Sequence, residues 1–536
     1  MLSSVYNYVF GRNHIHLSAV STNNIPQDQV TQKFHPRLQA IFKQLDAICP
    51  RFVISQNDVF ILNDPEQFYS TLKEKILSAK QRVFLSSLYV GKTQHELVGT
   101  IEKALELNED LTVSILTDAL RGTREAPHQP CSASLLVPLV EKFGKHRVDI
   151  RMYHTPHLKG FTKSLAPKRI NEAWGLQHMK LYGFDDEIML SGANLSEDYF
   201  TDRQDRYYLF SNRKLTEYYS KIHDSICSIS YQILPSTNTP SGFRMDWPTS
   251  NKTCEPHVNH ARFISDTSFM LEPLLKQQDL KNFEEFNDSD EYDTIVYPIS
   301  QFSPLLQPRN DISTEKPSVL RLLTFLDSPT IKWWFTAGYF NLLPEIQEKL
   351  VNGVAKGTII TASAKANSFY KSTGVSYYIP EAYLLIAKKF LEDIRAKAKD
   401  NLIKLYEWRN GVVNTPGGWS YHAKGIWITV PDEDLPSITV IGSSNYTKRA
   451  YSLDLESNAI LITKNKGLKK KMKEEVDNLL KYAHPMELEQ FEPKVIGYEK
   501  NENDEDILER PIKKVSEDRQ ISYGVHLGLK VIGGKL

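Results

Sequence analysis

Cysteine is scarce in this chain of 536 residues: Cys49, Cys131, Cys227 and Cys254 stand far apart and form no C-x-x-C pair. A disulfide framework and a zinc site are thereby excluded as organising features, and buried or free thiols are the reading that remains. No other spacing of His, Cys, Asp and Glu suits a metal ion. Long apolar runs are missing too. None reaches the ~18 residues of a membrane-spanning helix, so any work on a bilayer must be done from its surface. An excess of charge is also absent, with 65 Lys and Arg against 65 Asp and Glu. Sequence-nonspecific nucleic-acid binders carry a basic excess or stripe, so this balance argues against a nuclease. Acid is locally absent from the first 27 residues, which hold Arg12, His14, His16 and several Ser and Thr. That is the character of a mitochondrial presequence or of a disordered start.

What the chain does have is one statement made twice. Gln177-His-Met-Lys-Leu-Tyr-Gly-Phe-Asp185 sets His178, Lys180 and Asp185 in the pattern H-x-K-x4-D, followed by an apolar run and Ser191-Gly-Ala-Asn194. Ser420-Tyr-His-Ala-Lys-Gly425 repeats H-x-K with His422 and Lys424, followed later by Ile441-Gly-Ser-Ser-Asn445. In a strand, residues i and i+2 share a face, so each His can stand beside its Lys on one pocket wall. Imidazole attacks phosphorus or moves a proton near neutral pH. An ammonium and an Asn amide suit phosphate oxygens. Two such sets face to face supply a nucleophile, an acid/base and a cage for transition-state charge. They suffice to split a phosphodiester in two steps without a metal.

Around these units the hydrophobic pattern alternates. Helical spacing over 68–79, 94–107 and 132–143 alternates with strand-like runs at 82–90, 111–117 and 148–153, ahead of a strand–turn–strand over 178–190. The later half repeats the order, with helices over 319–326, 344–351 and 382–396 and strands over 333–340, 358–362, 403–408, 422–430 and 438–442. This alternation predicts an α/β sandwich with a largely parallel sheet. His422 lies 244 residues beyond His178, and the runs at 84–90 and 335–340 keep nearly that offset. The chain therefore reads as a tandem duplication: two α/β/α halves about a pseudo-two-fold axis with one shared site. Its expected divisions are a presequence and extension (1–50), a first half (51–234), a partly flexible connector (235–317), a second half (318–485) and a tail (486–536). An amphipathic helix at 38–48 is expected to pack on the protein's own body. The connector includes Asn287-Asp-Ser-Asp-Glu-Tyr-Asp293, and the tail carries the acidic run 502–506.

The paired units resemble the HKD motifs of the phospholipase D superfamily. Longer runs are similar to the yeast-type mitochondrial phosphatidylglycerophosphate synthases over about residues 55–485: Asp118-Ala-Leu-Arg-Gly-Thr-Arg-Glu125, Gly175-Leu-Gln-His-Met-Lys180, Arg203-Gln-Asp-Arg-Tyr-Tyr208, Gly418-Trp-Ser-Tyr-His-Ala-Lys-Gly425 and Ile441-Gly-Ser-Ser-Asn-Tyr-Thr447. The resemblance implies an α/β phospholipase D-like fold and transfer of a phosphatidyl group from CDP-diacylglycerol to sn-glycerol 3-phosphate, with no cofactor, metal or nucleic acid. It implies a peripheral protein on a phospholipid membrane, at the matrix face of the mitochondrial inner membrane, with an amphipathic or basic patch near the pocket mouth. In such a site His178 would attack phosphorus and His422 would protonate the leaving group, although the residues themselves do not order the pair. Lys180, Lys424, Asn194, Ser443 and Asn445 would hold phosphate oxygens. Asp185 would support the first motif or serve as a turn residue. Thr429 stands where the second motif should have its aspartate, so orientation of the second histidine is expected from Glu456, with Asp205 as the first-half counterpart. Arg121, Arg124, Lys92 and Arg449 are candidate anion ligands. Rival readings keep the same chemistry with another acceptor (a phosphatidylserine synthase, a cardiolipin synthase or a hydrolytic phospholipase D). Others make the chain a DNA phosphodiesterase or, because of Thr429, a non-catalytic membrane-binding protein.

Overall fold

A computed structural model describes residues 29–158, 171–276, 292–499 and 510–532. The acid-free leader, residues 287–291 of the connector run and the acidic run 502–506 lie outside the described residues. Strands are numbered along the chain. The earlier ones are β1 (Phe52–Ser55), β2 (Val59–Leu62), β3 (Arg82–Ser86), β4 (Thr112–Asp118), β5 (Val148–Tyr153), β6 (Leu181–Phe184), β7 (Glu187–Ser191), β8 (Arg203–Gln204), β9 (Tyr207–Ser211), β10 (Tyr231–Pro235) and β11 (Phe243–Asp246). Then come β12 (Tyr292–Gln301), β13 (Lys332–Ala337), β14 (Lys356–Ala362), β15 (Ile403–Trp408), β16 (Ser420–Tyr421), β17 (Lys424–Thr429), β18 (Pro436–Gly442), β19 (Glu456–Thr463) and β20 (Ala483–Pro485).

Eighteen of these form two nine-stranded sheets, ordered β11-β10-β5-β4-β3-β6-β7-β9-β2 and β1-β12-β19-β18-β17-β13-β14-β15-β20, and β8 pairs with β16. The central orders β5-β4-β3-β6-β7-β9 and β15-β14-β13-β17-β18-β19 match strand for strand, which is the tandem duplication in three dimensions. The expectation of largely parallel sheets is corrected. Only β3–β4 and β4–β5 run parallel in the first sheet, and β13–β14 and β14–β15 in the second. Parallel neighbours need a crossover, and helices His95–Leu107 and Ser132–Phe143 supply it. Helix His95–Leu107 buries Leu97, Ile101, Ala104 and Leu105, one apolar stripe at helical spacing. From Leu181 onward the chain turns tightly at Asp185 and Asp186, and such turns return strands antiparallel.

The expected boundaries also shift. Helix Gln39–Asp46 does pack on the protein, burying Ile41, Phe42 and Leu45, but in the core of the second half. β1 pairs with β12 in the second sheet, whereas β2, only a turn later, pairs with β9 in the first. The segment 235–317 is no mere connector: helix His260–Leu275 buries Phe263, Ile264, Leu271 and Leu275, and β12 is a ten-residue inner strand of the second sheet. The halves share one apolar core. Ile188, Leu190, Tyr208 and Phe210 of the first sheet cluster with Trp427, Ile441, Ala459 and Leu461 of the second and with helices Arg213–Cys227 and Lys466–Leu480.

Candidate active site

The H-x-K units sit at the edges of their sheets, since β6 begins at Leu181, just after Lys180, and β17 begins at Lys424, with His422 between β16 and β17. Each is fixed by the opposite half. The His178 backbone N–H donates to the Leu455 carbonyl at 2.9 Å, and the His422 N–H donates to the Gln204 carbonyl at 2.9 Å. Those carbonyls belong to the residues immediately before Glu456 and Asp205. The side chains follow the same rule: His178 Nδ1 lies 2.8 Å from Glu456 Oε1, and His422 Nδ1 lies 2.6 Å from Asp205 Oδ2. Each histidine of one half is thus held by the carboxylate of the other. The expected acids are the right residues with their partners exchanged: Asp205, not Glu456, serves the second-motif histidine.

A carboxylate only accepts, so it places the imidazole proton on Nδ1 and leaves the lone pair on Nε2. Burial drives both histidines well below their ordinary range, with Lys180 adding to it at His178 and Lys424 at His422. Burial also brings Lys180 down to about 7 and Lys424 to about 8, opposed by the two carboxylates, and pushes Glu456 up to about 7 against the pull of Lys180. Two ammonium groups and two carboxylates balance, and the imidazoles stay neutral between them. Glu456 accepts also from the Ser443 hydroxyl. Ser443 is fully buried there, with its hydroxyl engaged by that acid. Lys180 Nζ donates to the His178 carbonyl at 2.6 Å, and Lys424 Nζ stands 2.6 Å from His422 Nδ1 and 3.5 Å from Asp205 Oδ2. Gly192 makes room for this pair, because a Cβ there would meet Asp205 Oδ1 at 2.5 Å and Lys424 Nζ at 2.7 Å.

Asp185 is not in the site. It occupies the β6–β7 turn with φ of 48° and accepts from the backbone N–H groups of Lys80, Gln81 and Arg82 at 2.7, 2.8 and 3.0 Å. Thr429 Oγ1 accepts from the Lys332 N–H at 3.0 Å. Arg82 opens β3 and Lys332 opens β13, so both motif positions clasp the first residue of the equivalent strand. A hydroxyl suffices for that contact.

A cavity of about 490 Å³ brings His422, Asn194, Asn445, Arg121, Arg124 and Arg449 together. Asn445 Oδ1 is buried and without a partner among the described residues, leaving that amide able to turn to an anion. Asn194 is already engaged: it accepts from the Leu88 N–H at 3.3 Å and donates to the Tyr199 hydroxyl at 3.1 Å. Arg124 pairs with Glu172 and Arg449 with Asp454, while Arg121 lies over the Tyr89 ring. Lys92 lines a neighbouring cavity instead. Sequence reasoning missed Tyr199, whose hydroxyl is 3.3 Å from His422 Nε2, and Tyr339, which with Tyr199 brackets the imidazole edge-on. It missed Arg203 as well, paired with Asp198 on the cavity wall. The only available signal was that Tyr199 and Arg203 closely follow the Gly192-Ala-Asn194 turn.

The crossed pairing has a testable consequence. Glu456→Gln presents an amide where Nδ1–H needs an acceptor, which disturbs the His178 tautomer; kcat/KM is expected to fall about 10²- to 10⁴-fold. Labelled phosphatidyl transfer onto the protein should slow with it. Unchanged labelling would mean that Glu456 does not serve His178.

No protein-family model matches the chain. Curated proteins do. The CDP-diacylglycerol–glycerol-3-phosphate 3-phosphatidyltransferase of Saccharomyces cerevisiae is 49% identical over 491 residues, 90% of this chain and 89% of that one. The Schizosaccharomyces pombe protein of that name is 39% identical over 84% of this chain and 94% of its own. The Homo sapiens protein, named as mitochondrial, is 32% identical over 82% and 80%. Among solved structures, the phosphatidylserine synthase of Haemophilus influenzae covers 84% of this chain and 92% of its own at a TM-score of 0.64 and 18% identity, a likeness of fold. The phospholipase D-like architecture expected from the motifs is the one observed, and relatives this similar over nearly their whole length make the chain a member of the CDP-diacylglycerol–glycerol-3-phosphate 3-phosphatidyltransferase family.

Proposed function

We propose that this chain transfers the phosphatidyl group of CDP-diacylglycerol to sn-glycerol 3-phosphate, giving phosphatidylglycerophosphate and CMP through a phosphohistidine. The observation that carries the mechanism is the pair of His–carboxylate couples crossing between halves, with His422 opening on the cavity. His178 Nε2 attacks the lipid-side phosphorus as the bond to CMP breaks, and the departing oxygen takes its proton from His422 Nε2, which first gains it from the Lys424 ammonium 3.3 Å away. His422 then takes the proton of the acceptor hydroxyl, whose oxygen displaces His178 from phosphorus. Two in-line inversions give net retention. Lys180, Lys424 and Asn445 hold the non-bridging oxygens, and Asn194 acts through Tyr199. His178 suits the nucleophile's part because no described residue bonds its Nε2, whereas the Tyr199 hydroxyl already faces that of His422. The reading extends to a mitochondrial protein bound peripherally at the matrix face of the inner membrane. The acid-free leader and the mitochondrial names of vertebrate relatives support it.

The test offers the purified chain CDP-diacylglycerol with glycerol 3-phosphate, serine, phosphatidylglycerol or water, and follows CMP and lipid product. Product with glycerol 3-phosphate alone is expected. Serine-dependent product, or CMP released into water, would keep the chemistry and overturn the acceptor. The pH profile follows from the lysines. Each ammonium is lost as pH rises through its value, so kcat/KM for the donor should fall between about pH 7 and 8, and the proton that Lys424 lends to His422 goes with it. Glu456 takes up a proton as pH falls through about 7 and ceases to accept from His178, so the profile should fall on the acid side as well and peak near neutrality. A profile flat to pH 9 would mean that the carboxylates keep both lysines charged in the free enzyme.

A further inference from the structure

Seven of the thirteen exposed large apolar side chains among the described residues come from one short list of segments: Tyr377, Tyr378, Val495, Ile496, Ile512, Tyr523 and Leu527. Three of those segments meet at a cavity of about 830 Å³, lined by Tyr377, by Val515 at the foot of the hairpin Lys494–Glu499/Arg510–Lys514, and by Ser522 and His526 at helix Tyr523–Ile532. That helix reads Tyr-Gly-Val-His-Leu-Gly-Leu-Lys-Val-Ile and contains no acid. One face is satisfied by the protein, with Val525 buried against Ala382 and Leu385. The other is not: Tyr523 and Leu527, four residues apart, are 78% and 51% exposed. A helix apolar on both faces belongs in apolar surroundings on both.

The patch reaches the catalytic cavity. Ser376 and Ile379 line that cavity while Tyr377, between them, lines the peripheral one. Tyr377 and Tyr378 stack edge to face at 5.3 Å, the amphipathic aromatic pairing suited to a headgroup layer. Lys371, Lys494, Lys513 and Lys514 are exposed around it. Of the acids nearby, Asp518 is paired with Lys365 and Arg409, Glu381 accepts from the Ser522 N–H, and Glu517 is exposed. No helix among the described residues is long and apolar enough to cross a membrane.

We propose that helix Tyr523–Ile532, with Tyr377 and Tyr378, is the surface by which this protein lies on an anionic phospholipid bilayer, its catalytic cavity opening at the rim. The choice of a bilayer over a protein partner rests on the phosphatidyl-transfer reading. The full chain is sedimented with phosphatidylcholine vesicles, with and without added phosphatidylglycerol. Binding that strengthens with phosphatidylglycerol is expected. Tyr523→Ser/Leu527→Ser should weaken it at least tenfold on both vesicles, and Lys513→Glu/Lys514→Glu should remove only the phosphatidylglycerol increment. Turnover of vesicle-borne donor should fall in step, while turnover of a short-chain, water-soluble donor stays unchanged. Where the helix variant does not fold, Tyr377→Ser/Tyr378→Ser carries the same test. Wild-type protein that ignores vesicles, variants that bind like wild type, or a dimer that the helix variant abolishes would each overturn the proposal. Loss of turnover on the soluble donor by wild type would instead sink the transfer reading and leave vesicle binding to be judged alone.

Discussion

Alanine at His178 or at His422 is expected to lower kcat/KM by about 10⁴-fold or more, and the double variant by no more than the worse single one. The two act in one sequence of steps, and groups that act as a unit do not add. The histidines differ in what they leave behind. With phosphorus-labelled donor and no acceptor, wild-type protein should carry a base-stable, acid-labile label, and His178→Ala should carry none. Label on His178→Ala but not on His422→Ala would exchange the roles and preserve the mechanism. Label on neither, with turnover intact, would remove the covalent route altogether.

The second large effect lies where the halves join. Arg206, between β8 and β9, is fully buried with Nε 2.7 Å from Glu475 Oε1 and Nη2 3.1 Å from Glu475 Oε2. It donates to the Val440 carbonyl at 2.7 Å and to Thr439 Oγ1 at 2.9 Å, and lies 3.8 Å over the Trp427 ring. Glu475 accepts also from the Tyr208 hydroxyl at 2.6 Å and from Trp427 Nε1 at 2.9 Å. Every polar atom of the pair has a partner, and most of those partners belong to the second half. Arg206→Met leaves the carboxylate buried and uncompensated, which costs about 3–5 kcal/mol. A domain's whole stability is about 5–15 kcal/mol, so the denaturation midpoint should drop steeply. Arg206→Met/Glu475→Leu should recover part of that loss, and equal losses in single and double variants would deny the coupling. Catalysis should suffer as well, because the backbone of Arg206 adjoins Asp205.

The two H-x-K units were legible because their signal is local: a spacing of two, repeated with its flanking turn. Most crossover helices and parallel strands were legible for the same reason, each carrying its own periodicity. Pairing across the chain was not. Nothing local in Asp454-Leu-Glu456 says that its carboxylate faces His178 rather than His422, and Glu475 stands in a lysine-rich helix that reads as a solvated face. β12 was hidden by composition. It follows a polar, acidic stretch and contains Pro298, which argues against an inner strand. The structure resolves this: β1 pairs with β12 only as far as Val296, so Pro298 is laddered to Ala459 on one side alone. The aspartate of the first motif misled in the opposite way, since its spacing was real but its work is to hold a strand end.

The crossed carboxylates also bear on how such a chain could be divided. A half expressed alone would keep its histidine and lysine but lack the acid that sets its tautomer, so it should be inert however well it folds. Two copies of one half, meeting about a true two-fold axis, would restore both couples. The present chain is then equivalent to a dimer whose subunits have been joined and allowed to diverge. Its halves remain mutually dependent because each still keeps the other's acid.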